Sequence, residues 1–215
     1  MKAKITIFLL GSILLLFITY VIVNYNHWAS PKGYTDKTIK EIDLSGNSVK
    51  SALKYAKSRT DEWHEGGVLI GAIMHFSDKE SLQSMKGDFF CSYQIINRNP
   101  LLGLKYVVCT TNIDFKTETA ALFSVSSSDR GNEGNNITED EISKWTIDID
   151  DAFRAMEDLV GTDYLDKFDT PIGKLLFYAD SWSLTIEDIN SKKTVDIEIN
   201  PVNGIAELFN NDFSS

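Results

Sequence analysis

The chain has 215 residues, 43% of them hydrophobic, with 21 basic and 31 acidic side chains for a net charge of −10. That length supports one medium domain or two small ones, and the composition is that of a folded chain, not a disordered one. Only Lys2 and Lys4 of the basic residues precede residue 24, so the rest carries 19 basic against 31 acidic groups, a net of −12. This excludes the basic face that nucleic acid requires and disfavours lying flat on anionic lipid.

Residues 5–23, ITIFLLGSILLLFITYVIV, hold no charged side chain. At helical rise such a run spans roughly 28 Å, close to the ~30 Å hydrocarbon core of a bilayer. Lys2 and Lys4 precede it, no cation follows until Lys32, and Tyr20, Tyr25 and Trp28 stand where an interfacial belt would. The pattern predicts a single-pass signal-anchor with a cytoplasmic tail of residues 1–4, a transmembrane segment over 5–23 and everything else extracytoplasmic, at the cell membrane. The alternative is a cleaved signal peptide, whose apolar region is normally shorter, about 7–15 residues. Gly11-Ser12 offers a small-residue contact for another helix.

Residues 24–42, polar and containing Pro31 and Gly33, read as a stalk. A first α+β unit is expected over 43–125. Its helix is signalled by Val49, Ala52, Leu53 and Ala56 on one stripe, with Ser45, Asn47 or Ser48 as cap. Strands are expected at Val68–Phe76, Phe89–Asn97, Lys105–Ile113 and Thr119–Val125. Residues 126–146 begin with a stretch, SSSDRGNEGNNITEDE, whose single apolar residue is Ile137, and form a linker or long loop.

The second α+β unit occupies 147–215. Asp150 or Asp151 can cap a helix whose apolar stripe is Ala152, Phe153, Ala155, Met156, Leu159 and Val160, with Gly161 placed to end it. After a strand at Lys174–Ala179 comes a hairpin. Pairing Ile186 with Val195, Leu184 with Ile197 and Trp182 with Ile199 gives one dry face, and a wet face of Ser183, Thr185 and Glu187 against Thr194, Asp196 and Glu198. The turn Asn200–Gly204 leads into a last strand at Ile205–Phe209. The fold class read from these elements is α+β: a transmembrane helix, then two units of one helix backing one antiparallel sheet.

Cys91 and Cys109 lie on neighbouring strands. A hairpin centred near Pro100 would set Cys91 opposite Cys109 and Tyr93 opposite Val107. A directly opposed pair can form a disulfide, worth about 3 kcal/mol for a loop of this size, and an extracytoplasmic compartment is oxidising enough. The other reading is two buried free thiols. Neither lies at a helix start or among basic residues, so neither has the context of a catalytic thiol.

No catalytic constellation stands out. The histidines, His27, His64 and His75, have no zinc-site spacing, and no Gly-x-Ser-x-Gly or phosphate-cradling glycine loop occurs. Asp61, Glu62, His64 and Glu65 could gather a metal, but a solvated loop is the better account of them. Asp148-Ile149-Asp150-Asp151 resembles a calcium loop only in its acids, lacks the glycine and distal glutamate, and fits helix capping. Asn136-Ile137-Thr138 is a glycosylation sequon, relevant only in a eukaryotic secretory host. Metal, cofactor and catalytic residues are therefore all expected to be none.

The helix DDAFRAMEDLVG, the strands WSLTIED and TVDIEIN, and the turn NPVNGIAEL resemble a PepSY domain, a small extracytoplasmic bacterial module. Asn200 and Asn203 depart from the Asp and Thr of that family's turn, and Gly204 fits it. The first unit resembles the family only in plan. The resemblance implies a non-catalytic module that binds or restrains partner proteins. The expected function is thus a membrane-anchored extracytoplasmic binding module, restraining or sensing an envelope protein or peptide through an exposed sheet edge, with no nucleic-acid partner. The alternatives are an anchored hydrolase with an acidic site and an accessory subunit acting through its membrane helix.

Overall fold

The computed structural model describes residues 10–21, 34–63, 65–99, 103–128, 131 and 136–212. The expected tail at 1–4, residues 24–33 of the expected stalk with His27 and Trp28, His64, the hairpin tip 100–102, and 129–130 and 132–135 of the expected linker lie outside them.

Among the described residues, 10–21 form the N-terminal helix α1. Twelve residues rise about 18 Å, well short of a ~30 Å hydrocarbon core. Among the described residues no helix is long and apolar enough to cross a membrane. This overturns the single-pass anchor, and with it the membrane placement of the rest of the chain. Residues 5–9 and 22–23 of the uncharged run lie outside the described residues.

Helix α2 (Ser48–Trp63) buries Val49, Ala52, Leu53 and Ala56, the expected stripe. Asn47 caps it, its Oδ1 accepting from Lys50 N at 2.9 Å. Strands β3 (Val68–Phe76), β4 (Asp88–Asn99), β5 (Gly103–Asp114) and β6 (Thr119–Ser128) follow, with the short helix α3 (Lys79–Ser84) between the first two. Helices α4 (Glu139–Lys144) and α5 (Ile149–Val160) precede β7 (Pro171–Phe177), β8 (Trp182–Asp188), β9 (Thr194–Ile199) and β10 (Ala206–Asn211). The β8–β9 register is Ile186 to Val195, Leu184 to Ile197 and Trp182 to Ile199, because only that pairing keeps every apolar side chain on one face.

Two separate helix-backed sheets do not form. With β1 (Tyr34–Asp36) and β2 (Lys40–Glu41), the described strands join one antiparallel sheet in the order β1-β6-β5-β4-β3-β7-β8-β9-β10, with β2 also on β6. The molecule is mainly this sheet, with few helices. The merger happens because β3 and β7 pair with each other, Ala72 with Phe177 through Phe76 with Gly173. Each would otherwise present an unpaired edge. Gly173 packs closely at this seam: a Cβ there would stand 2.7 Å from Leu82 Cδ2, so that side chain would have to shift.

The outer edge of β6 is covered by β1 (Tyr34–Asp36) and β2 (Lys40–Glu41), drawn from the segment read as a stalk. Arg59 of α2 pins β1: its guanidinium is 3.1 Å from Asp36 and stacks 5.1 Å from the Phe123 ring centroid, while Tyr34 stacks on Trp63.

The inner face of the sheet holds the core under α2, α3 and α5. Aromatic side chains cross the seam: Phe89 of β4 meets Phe177 of β7 at 5.6 Å, Phe177 meets Trp182 at 4.8 Å, and Trp182 meets Trp145 edge-on at 5.3 Å. Trp145 donates its indole N–H to Ala179 O at 3.0 Å. Each such pair contributes about 0.5–1.5 kcal/mol beyond its buried area.

The two long helices meet at their N-termini. Asp148, not Asp150 or Asp151, is the N-cap of α5, and its N–H donates to Asp151 Oδ2 at 2.8 Å. Its carboxylate turns away to cap α2, accepting from Ser48 N at 2.6 Å, Ser48 Oγ at 2.9 Å and Val49 N at 3.2 Å. Asn47 reciprocates, donating from Nδ2 to Ile147 O at 2.8 Å. One carboxylate thereby satisfies orphan donors of a helix a hundred residues away in sequence.

Asp188 plays a related part at the other end of the second meander. It is 2% exposed, and its carboxylate accepts from the backbone N–H of Asp169, Thr170, Asn190 and Ser191 at 2.6–3.2 Å. These donors hold its pKa at about 2, below the ordinary 3.8. One side chain ties the β8–β9 loop to the entry of β7.

Two outcomes are expected. Asp148→Ala should lower unfolding stability by roughly 2 kcal/mol in urea titrations, and Asp148→Asn by less; an unchanged urea midpoint for the alanine variant would show that the cap exchange carries no stability. Asp188 has a depressed folded pKa, so its contribution is complete above about pH 4 and is lost as pH falls toward 2. Asp188→Asn should therefore melt below wild type at pH 7, and the gap should narrow near pH 2, as followed by circular dichroism.

Candidate functional site

The two sheet edges differ. β6 is covered, whereas among the described residues β10 pairs only with β9. Strand β10 exposes Leu208 and Phe209 at 41% and 66%, and Ile205 immediately before it is 62% exposed. Its register on β9 slips between Leu208 and Asn210, a bulge that twists the outer end of the edge. The turn into β10 is built by Asn200, whose Oδ1 accepts from Val202 N and Asn203 N at 2.9 and 3.2 Å. Gly204, at φ 72°, supplies the left-handed residue that lets Asn200 N reach Ile205 O at 2.8 Å.

Beside this edge lies a hollow of about 310 Å³ lined by Asp180, Glu198, Asn200, Asn203, Ile205 and Glu207, among others. Glu207 stands directly opposite Glu198 across the β9–β10 ladder. Like charges so placed destabilise the pair, and a cation between them would relieve it. The edge thus combines a side that no other described strand covers, exposed carbon at Leu208 and Phe209, and a concentration of negative charge at its start.

Other carboxylates are less suited to chemistry. Asp88 and Asp114 face each other across β4 and β5, with His75 opposite Asp88 on the other side. Burial and then the Asp114 charge raise the pKa of Asp88. For Asp114 burial acts upward but is outweighed by the Thr117 hydroxyl and the N–H groups of Lys116 and Thr117, which lower it. Asp88 and His75 are exposed on the outer face, so the group has no enclosed volume in which to orient a substrate.

Cys91 and Cys109 are both buried and free. The hairpin closes on Asn99 and Gly103, so Cys91 faces Thr111 and Cys109 faces Tyr93, two positions from the expected pairing. Moving the centre of a hairpin by one residue shifts every pair by two, and thiols no longer directly opposed do not meet disulfide geometry. Burial pushes the Cys91 thiol far up and that of Cys109 to about 11. Asp61, Glu62 and Glu65 are drawn into no metal site: among the described residues no group of three or more His, Cys, Asp or Glu is placed to hold one. Asp61 is bound instead to Lys57 at 2.6 Å, and Glu62 to Arg59. In the sequon, Ile137 bridges Leu69 by its N–H, and Thr138 forms a capping box with Glu141 at the start of α4.

Thiol-reactive dye should label neither cysteine in the native protein on a timescale of minutes and both in denaturant, without prior reductant. One readily labelled native cysteine, or a requirement for reductant, would contradict the buried free pair.

No protein-family model matches the chain, and no curated protein or solved structure matches it either.

Proposed function

We propose that this protein is a non-catalytic binding module that takes up an extended protein segment by strand addition along β10. The observation that carries the reading is the asymmetry of the sheet: β1 and β2 close one edge, while among the described residues no strand pairs with the outer side of β10, where Leu208 and Phe209 are exposed. Strand addition draws its affinity from main-chain hydrogen bonds and its selectivity from the alternating side chains. The acidic hollow formed with Asp180, Glu198 and Glu207 selects a segment carrying lysine or arginine among apolar residues. The resemblance of residues 147–209 to PepSY modules, which implies binding or restraint of partner proteins, points the same way.

The direct test is a fluorescent peptide of alternating valine and lysine, titrated against the full chain and followed by anisotropy. It should bind saturably, and the Val/Glu counterpart should not. Replacing Leu208 and Phe209 by lysine should weaken binding at least tenfold, about 1.4 kcal/mol. Equal binding of both peptides, or no loss in the double variant, would rule out β10 as the acceptor edge.

A further inference from the structure

A second concavity, independent of β10, lies between α2 and α4 and encloses about 440 Å³. Its floor is carbon: Leu53, Ile142 and the ring of Tyr93. Tyr93 is buried, and its hydroxyl is committed to Leu53 O at 3.0 Å, so the floor offers no unmet polar group. Its rim carries three lysines, with the acids Asp61 and Glu139 at the Lys57 end. Lys50, Lys54 and Lys57 follow at i, i+4 and i+7 and so form one stripe on α2, about 10 Å end to end.

The three charges are unequally compensated. Lys57 is 2.6 Å from Asp61 and 3.8 Å from Glu139. Lys50 donates to the Ser143 carbonyl at 3.0 Å, which satisfies one donor but supplies no counter-charge. Lys54 is exposed and makes no ion pair among the described residues. Like charges four residues apart repel on a helix. In a chain of net charge −10, two uncompensated cations thus stand side by side over an apolar hollow.

We propose that this groove binds a small amphiphilic carboxylate, with its head between Lys50 and Lys54 and its carbon tail over Leu53, Ile142 and Tyr93. The head would gain charge-assisted hydrogen bonds and the tail would leave water. The volume is within the range of small-molecule sites, and α4, only six residues long, bounds a length that suits a short tail, not a helical peptide.

Decanoate below its micelle concentration, titrated into the full chain and followed by nuclear magnetic resonance, is the test. Saturable shifts at Leu53, Ile142 and the amides of α2 are expected. The neutral analogue decanol should bind at least tenfold more weakly, and the Lys50→Gln, Lys54→Gln double variant should raise the decanoate Kd at least tenfold. Lys54→Glu, at an exposed position, reads the charge alone if the double variant is unstable, and should have the same effect. No saturable shift in the groove, shifts confined to Leu208 and Phe209, equal affinity for decanol, or an unchanged Kd in Lys54→Glu would overturn the proposal.

Discussion

The antiparallel pairing of β3 with β7 is the constraint on which the rest of the molecule depends. It turns two four-stranded meanders into one sheet and removes two inner edges at once. It also fixes the level at which the helices sit. With Ala72 opposite Phe177 and Phe76 opposite Gly173, α2 and α5 arrive with their N-termini adjacent. Two N-termini brought together would repel through their dipoles. The Asp148 carboxylate, placed against both, supplies the negative charge that makes the approach favourable. The aromatic series Phe89, Phe177, Trp182 and Trp145 then fills the space beneath the seam.

With the inner edges consumed, only the two outer ones are left to differ. The first is guarded by β1 and β2, and the guard is itself tied to α2 through Arg59, Asp36 and Phe123. The second, β10, has no such strap among the described residues and is blunted by its bulge. The charge follows a similar division. Acids gather at the start of β10, whereas the lysines of α2 border the opposite meander's groove. A net charge of −10 conceals this local pairing of uncompensated lysines at Lys50 and Lys54.

The β8–β9 hairpin was legible in the sequence because its two faces differ sharply, and only one register matches Trp182, Leu184 and Ile186 with apolar partners. The stripe of α2 was legible for the same reason. The seam was not. The apolar stretches at Val68–Phe76 and Lys174–Ala179 mark strands and say nothing of which strand lies alongside. Cysteine pairing failed on a smaller scale, since the one-residue displacement of the hairpin centre depends on the conformation of its tip. Strands of three and two residues, as at Tyr34–Asp36 and Lys40–Glu41, are too short to show a period. The capping box at Thr138 and Glu141 was readable from its spacing and marks α4 within what reads as linker. Asp188 carries no signal separating it from an ordinary acid at the start of a polar loop; its role exists only once Asp169 and Thr170 arrive beside it. The β10 edge was anticipated as a type of surface, and only the strand order could say which edge it was.

The partners in the central pairing are remote along the chain: Ala72 meets Phe177, a separation of 105 residues. A ribosome adding roughly 5–20 residues each second delivers the first of them many seconds before the second. Through that interval the newborn first meander holds a bare flank at Ala72–Phe76, the very stretch later sealed by β7. Any foreign strand met in those seconds competes for the place that the chain's own second half is still being made to fill.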